Sequence, residues 1–267
     1  MMRNDFETIL LEAKGHTALM TLNRPEAMNS YTGQMHLDMH AAWDEINNDD
    51  DIYTVVVVGA GRAFCSGADM KERSRGQVKG GLGREQEITP KGQIISSFYH
   101  DYMRGTGVGL PRPHWGYPGK PMIAAIHGIC CGDGIGWLYG SDFAICSDDA
   151  TFFDPHVNVG AHPTSISNCQ RMVATPMALA IELLGLPWRV SAKRAYQVGL
   201  VTEVVPREQL WERALEIAEE INRAPNNRLP ARASKALWWG TAQMNYEEAR
   251  LRIPDFAAGV RILEAKK

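Results

Sequence analysis

The chain has 267 residues, of which 45% are hydrophobic and 22% charged, and its formal net charge is −3. This is the composition of an ordinary globular protein with a sizeable core, built as one large or two small domains. The slightly negative charge argues against a nucleic-acid-binding surface, which would need a basic patch, and no apolar run approaches the roughly 18 residues of a membrane span.

The first quarter of the chain predicts a core that alternates strands and helices. The apolar runs 7–13 and 16–23 flank Gly15, as in a hairpin. Apolar residues at helical spacing predict a helix over 31–48. The unbroken apolar run 53–59 predicts a strand buried on both faces. Strand, helix and strand in this order favour an α/β fold.

Residues 73–119 depart from this pattern. They are rich in glycine and proline, with a short helix predicted near 91–104. A stretch of this length inside a compact domain is typical of a lid or binding loop. A passive surface insertion is the alternative that the sequence leaves open.

Regular elements resume after this insertion. A strand is predicted at 122–126, a helix at 132–139 after a glycine-rich turn, and strands at 143–146 and 150–153. Further helices are predicted at 176–185, 191–198, 206–223 and 230–241. We therefore expect a core over residues 1–200 and a C-terminal helical, oligomerisation subdomain over 201–267.

The N-terminus and the cysteines favour a cytoplasmic location. Residues 1–7 contain no apolar signal core. The chain has five cysteines, an odd number, and they lie in apolar surroundings, which is typical of reduced, buried thiols. No Cys-x-x-Cys pair has the spacing of a zinc site, so we expect no metal.

Three segments carry the most specific motifs. Residues 22–29 read LNRPEAMN, residues 63–72 read AFCSGADMKE, and residues 120–160 contain KPMIAAIHG, Asp142 and Pro155. In order and spacing they resemble the crotonase superfamily of enoyl-CoA hydratases and isomerases over about residues 20–240. The resemblance implies a crotonase-like spiral of ββα units with a C-terminal helical subdomain, assembled as a homotrimer or homohexamer. It also implies an acyl-CoA thioester substrate, with coenzyme A as part of the substrate and no other cofactor.

Glycines in these motifs predict a site for a developing negative charge. Gly67, Gly132 and Gly134 allow sharp turns from which backbone N–H groups point at a ligand. Two such donors suit a thioester oxygen that becomes an enolate. By resemblance the two oxyanion donors are the N–H groups of Ser66 and Asp133. The Asp133 side chain is open to two interpretations, a carboxylate that favours the helix dipole or an acid or base.

The acid and base positions depart from the family pattern. The two catalytic glutamates of a hydratase correspond to Gly136, which has no side chain, and His156. Imidazole can replace a carboxylate in proton transfer. Asp154 shares a face with His156 if the segment is extended, and could orient it. His162 is a second candidate. A satisfied core histidine is the alternative for His156.

The resemblance also predicts where coenzyme A binds. It implicates Arg24, Ala27, Ala68 and Asp69, with Arg24 as a donor to a phosphate. Lys71 or Lys235 could contribute, although a lysine is more often a solvated surface charge. His127 is expected to fix a turn by hydrogen bonding, while His100 and His114 lie in the insertion and could reach the pocket with a lid.

Three functions remain open at this point. The leading one is an acyl-CoA-processing enzyme that works through an oxyanion-hole-stabilised enolate, with His156 in place of a glutamate. The second is a C–C bond hydrolase acting on a β-diketone or β-keto thioester, because the segment around His156 also resembles a crotonase that cleaves β-diketones. The third is a non-catalytic homologue that binds acyl-CoA.

Overall fold

The computed structural model describes residues 5–74, 87–88, 94–95, 120–160, 174–223, 230–241, 248 and 250. The strands are β1 (Ile9–Lys14), β2 (Thr17–Leu22), β3 (Thr54–Gly59), β4 (Glu87–Ile88), β5 (Ile94–Ile95), β6 (Met122–Ile126), β7 (Ile129–Cys131), β8 (Phe143–Ser147), β9 (Thr151–Phe153), β10 (Val190–Ser191) and β11 (Glu203–Val205). The α-helices are α1 (Gly33–Asn48), α2 (Met70–Ser74), α3 (Gly136–Gly140), α4 (Thr175–Leu184), α5 (Ala192–Gln197), α6 (Leu210–Arg223) and α7 (Pro230–Thr241).

A six-stranded sheet forms the centre of the molecule, in the order β1-β2-β3-β6-β8-β11. The β1–β2 hairpin is antiparallel, and every later pairing is parallel. All six residues of β3 are buried, which confirms the strand predicted from the apolar run. Both faces of such a strand must be covered, which explains its continuous valines.

Two layers cover this sheet. On one face α6 packs its Leu210, Ala214 and Ala218 against alternate residues of the central strands. On the other face lies α1, as predicted, with Met35, Met39 and Ile46 buried at helical spacing. The helix begins where the Thr32 hydroxyl accepts a hydrogen bond from the N–H of Met35 at 3.1 Å.

A smaller sheet carries the segments in which the chemistry is expected. Its order is β10-β9-β7, with β7 parallel to β9 and β9 antiparallel to β10. Cys130, Phe152 and Val190 point from its three strands into the main core. The turns that follow β7 and β9 are thereby held at fixed positions.

The C-terminal boundary differs from the prediction. Residues 203–205 form β11, an edge strand of the central sheet, so the core continues beyond residue 200. In α6 the buried Asn222 accepts a hydrogen bond from the Thr54 hydroxyl at 2.7 Å and donates one to Thr17 Oγ1 at 2.9 Å. The part of 201–267 up to Arg223 therefore belongs to the core and is no separate subdomain.

The predicted insertion is described only at two short strands. β4 and β5 pair antiparallel, so the helix expected near 91–104 is wrong at residues 94–95. The rest of 73–119 beyond α2 and before Lys120, with His100 and His114, lies outside the described residues. None of the helices in the described ranges is long and apolar enough to cross a membrane.

Candidate active site

Two glycine turns meet at the end of β7. Gly67 (φ +89°) and Gly132 (φ +54°) both adopt the left-handed conformation that favours glycine. A Cβ at Gly67 would lie 3.0 Å from the Cys131 carbonyl oxygen and 3.4 Å from the Asp133 nitrogen. The motifs at 63–72 and 128–136 thus approach each other through their backbones, as the sequence predicted.

Backbone pairing holds these two turns together. The N–H of Cys65 donates to the Ile129 carbonyl, and the N–H of Cys131 donates to the Cys65 carbonyl, both at 3.1 Å. A Cβ at Gly134 would lie 2.6 Å from that same Cys65 carbonyl oxygen. Only glycine allows this approach, which accounts for the third glycine of the motif.

The predicted first oxyanion donor is wrong in this geometry. The N–H of Ser66 donates to the Met28 carbonyl at 3.0 Å, so it is already paired within the fold.

The N–H of Ala68, two residues further along the chain, is not paired with Met28. Ala68 pairs with Tyr31 in a parallel bridge, in which the Gly67 carbonyl accepts from Tyr31 at 2.7 Å and the Asp69 N–H donates to Tyr31 at 2.9 Å. Since these two groups face Tyr31, the intervening N–H points to the other side. Within the described ranges no acceptor for the Ala68 N–H is found.

His156 and Asp154 form a hydrogen-bonded pair beside these turns. The Asp154 side chain is fully buried, and its Oδ1 bonds to ring Nδ1 of His156. The same oxygen accepts the His156 backbone N–H at 2.9 Å. The His156 ring carbon Cε1 lies 3.8 Å from where a Cβ of Gly132 would be. The residues predicted to act together are therefore in contact.

The local backbone explains how this pair forms. His156 has helical dihedral angles and begins a short 3-10 helix, Val157–Val159, so the segment is not extended throughout as expected. Because a carboxylate only accepts, ring Nδ1 must carry the hydrogen that Asp154 binds. Nε2 then carries the lone pair that proton transfer needs.

The other glutamate position has no side chain. Gly136 is the first residue of α3 and is buried. Asp133 lies in the preceding 3-10 helix, Gly132–Ile135, and is half-buried between buried neighbours. His162 lies outside the described residues.

Two of the residues predicted to bind coenzyme A, Arg24 and Asp69, bind to each other within the fold. Arg24 donates to Asp69 Oδ2 at 3.0 Å and to the Ser30 carbonyl at 2.6 Å. Burial alone would raise the pKa of Asp69. Hydrogen bonds from the N–H groups of Glu72 and Lys71, from Arg24 and from the Ser30 hydroxyl instead hold that pKa below its ordinary value. The Arg24 guanidinium thus stabilises the turn that contains Ala27 by binding Ser30 and Asp69.

Two other candidate residues, His127 and Lys235, make hydrogen bonds or ion pairs inside the fold. His127 is buried, and its Nε2 donates to the Gly61 carbonyl at 3.1 Å, as expected for a turn-fixing residue. Lys235 is only 4% exposed and pairs with Asp142 at 2.9 Å, so it is not a surface cation. In the parts of the chain that are described, no three histidine, cysteine or acidic side chains form a metal-binding group.

Comparisons with known proteins agree with this architecture. Residues 17–253 match the family model described as Enoyl-CoA hydratase/isomerase. A solved structure of an enoyl-CoA hydratase/isomerase from Mycobacterium paratuberculosis superimposes with a TM-score of 0.83 at 36% identity, over 96% of this chain and 91% of that one.

Two named hydratases have similar levels of sequence identity to this chain. The chain is 33% identical to the (E)-benzylidenesuccinyl-CoA hydratase of Thauera aromatica, over 80% of this chain and 75% of that protein. It is 31% identical to the mevalonyl-coenzyme A hydratase of Aspergillus fumigatus, over 90% of this chain and 81% of that protein.

Proposed function

Because this chain belongs to the enoyl-CoA hydratase/isomerase family, we propose that it is an enzyme that converts an acyl-CoA thioester through an enolate. The leading reaction is addition of water across an α,β-double bond. The names of the two hydratase relatives, both acting on CoA esters, support this reaction class. The observation that carries the proposal is the His156–Asp154 pair beside the joined glycine turns.

The thioester oxygen binds between the N–H groups of Ala68 and Asp133. Support comes from the pairing of Ala68, which directs its N–H away from Tyr31, and from the 3.4 Å approach of the Asp133 nitrogen to the Gly67 turn. Fixed donors of this kind stabilise the charge that develops on oxygen, and loss of one donor costs about 3–4 kcal/mol of transition-state stabilisation.

His156 acts as the general base. With Nδ1–H bound to Asp154, ring Nε2 takes a proton from water as the water oxygen bonds to Cβ. Asp154 stabilises the imidazolium that forms and keeps the ring in the reactive orientation. A histidine can do this at neutral pH because its proton affinity lies close to that range.

The test uses a panel of enoyl-CoA thioesters that differ in chain length and branching. Loss of the conjugated enoyl absorbance reports hydration, and calorimetry with a saturated acyl-CoA reports binding. His156→Ala is expected to abolish turnover and to retain acyl-CoA binding. Unchanged kcat in that variant would exclude His156 as the base. Tight binding with no conversion of any thioester by the wild type would favour the non-catalytic alternative.

A second candidate is hydrolysis of a C–C bond in a β-diketone or β-keto thioester. It is favoured by Gly136, since a single histidine base can direct water to a β-carbonyl while the two N–H donors stabilise the departing enolate. A free β-diketone needs no coenzyme A site. Calorimetric titration with coenzyme A and acetyl-CoA therefore separates the two, because absence of binding would favour this second reaction.

A further inference from the structure

Hydration needs two proton transfers, one from water and one to the α-carbon. While His156 takes the proton from water, a second group can supply the proton that the α-carbon receives. Gly136 has no side chain to provide it. If the chain carries out the proposed hydration, another residue near the joined glycine turns fills this role.

Asp133 is suitably placed on the turn itself. It lies in the 3-10 helix Gly132–Ile135, and Gly136 follows at i+3, where its N–H donates to the Asp133 carbonyl. Side chains three residues apart in a 3-10 helix share one side of it, so Asp133 projects from the same side of the turn as a side chain at position 136 would. Asp133 is half-buried, whereas Gly132, Gly134 and Ile135 are buried, so part of Asp133 is accessible at this turn.

Asp133 interacts electrostatically with buried residues around the Ala68 turn. Tyr31, which pairs with Ala68, is buried, and burial followed by the negative charge of Asp133 raises its pKa well above its ordinary value. The Asp133 charge also contributes, after burial, to the raised pKa of the Cys65 thiol, about 12. Asp133 therefore lies near the Ala68 turn, while the His156 ring contacts the Gly132 turn.

We propose that Asp133 is the second catalytic residue, the acid that protonates the α-carbon. His156 removes a proton from water as the water oxygen bonds to Cβ, and the electron pair of the double bond moves to Cα and the thioester oxygen. The Asp133 carboxylic acid then gives its proton to Cα, the thioester carbonyl re-forms, and Asp133 is left as a carboxylate. The imidazolium proton returns to that carboxylate through solvent, so substrate and water become the hydroxyacyl product without any other reactant.

This step needs Asp133 in its protonated form. A neutral carboxylic acid beside the developing enolate avoids the repulsion that a carboxylate would exert on it. An aspartate at a position that donates its backbone N–H to an oxyanion would otherwise oppose the charge it helps to bind. As a proton donor, Asp133 does not oppose the charge of the enolate.

The test separates the two proton transfers. By microscopic reversibility, the group that protonates Cα also removes a proton from it, so a saturated acyl-CoA in D₂O should exchange its α-proton through Asp133. Asp133→Asn and Asp133→Gly keep the backbone N–H, and Asp44→Asn on the exposed face of α1 is a matched control. The α-proton exchange is followed by NMR, alongside kcat and KM for hydration.

We expect Asp133→Asn and Asp133→Gly to lower α-exchange and kcat by roughly 10²- to 10⁴-fold with little change in KM. His156→Ala is expected to lose hydration and keep α-exchange. Wild-type kcat in the Asp133 variants, or a kcat that rises because a repulsive charge is gone, would overturn the assignment and leave the proposed function standing. If the wild type neither hydrates nor exchanges any acyl-CoA, the proposed function and this inference both fail.

Discussion

One oxygen atom, Asp154 Oδ1, accepts both the backbone N–H of His156, at 2.9 Å, and its ring Nδ1–H. The carboxylate that orients the imidazole therefore also fixes the backbone from which the imidazole projects. Asp154 is completely buried, so water does not compete for either bond. The Asp154 side chain consequently helps to set the direction of the His156 ring.

Asp154→Asn tests this relationship. An amide can present its NH₂ group to Nδ1, which favours the tautomer with the hydrogen on Nε2 and removes the base. We expect kcat for hydration to fall by roughly 10²- to 10⁴-fold while KM changes little. Steady-state kinetics on the variant and on Asp44→Asn provide the comparison. A wild-type kcat would show that Asp154 is not needed to hold the ring.

Gly134→Ala tests the close approach of the two turns. Its Cβ would lie 2.6 Å from the Cys65 carbonyl oxygen, so the strand pairing at the site must shift. We expect a loss of about 1–3 kcal/mol in the free energy of unfolding and a lower kcat, because the two N–H donors move apart. Gly33→Ala is the control, since its Cβ would make an ordinary 3.5 Å contact with Glu72 Oε1. Equal urea midpoints for the two variants would contradict the expectation.

Asn29→Ala tests the turn at the first motif. Asn29 is fully buried in the left-handed conformation at φ +53°, and its amide donates to the carbonyls of Ala60 and Ala63 at 2.9 and 2.8 Å. Its Oδ1 also accepts the Arg24 N–H at 2.8 Å. Alanine would leave these groups unpaired, so we expect a loss of about 2–4 kcal/mol. Urea unfolding should separate this variant from the exposed control Asn47→Ala.

Lys235→Met tests whether Lys235 stabilises the fold or binds coenzyme A, as the sequence suggested it could. Its ammonium group pairs with Asp142 at 2.9 Å and donates to the Lys120 carbonyl at 2.8 Å in the interior. Removing it leaves a partly buried carboxylate without its cation, and breaking such a pair costs about 3–5 kcal/mol. We expect lower stability with unchanged affinity for acyl-CoA by calorimetry, and no stability change in the exposed Lys193→Met. A weaker acyl-CoA affinity at full stability would restore the phosphate-binding assignment.

Local patterns predicted much of the fold. The apolar run of β3 and the helical spacing of α1 indicate which residues are buried. Each pattern can be recognised from the residues of that element alone. The contact between His156 and Asp154 could also be predicted, because the two residues are only two positions apart in the chain.

Features that depend on distant partners could not be predicted in this way. The choice between the Ser66 and Ala68 N–H groups depends on the pairing with Tyr31 and Met28, far earlier in the chain. The ion pair between Arg24 and Asp69 joins two residues that are 45 positions apart in the chain. β11 has only three residues and is recognised by its pairing with β8, not by its own pattern.

The hydrogen bonds of Asn222 to Thr17 and Thr54 have a consequence for how the chain folds. They join residues 205 and 168 positions apart, and α6 covers a sheet whose first strands are made at the opposite end of the sequence. Contacts of such long range slow folding, because chain entropy is lost before the contacts form. A nascent chain can therefore cover this face of its central sheet only after α6 has been synthesised, and until then the apolar face formed by Leu19, Val56 and Ile123 needs shielding from aggregation.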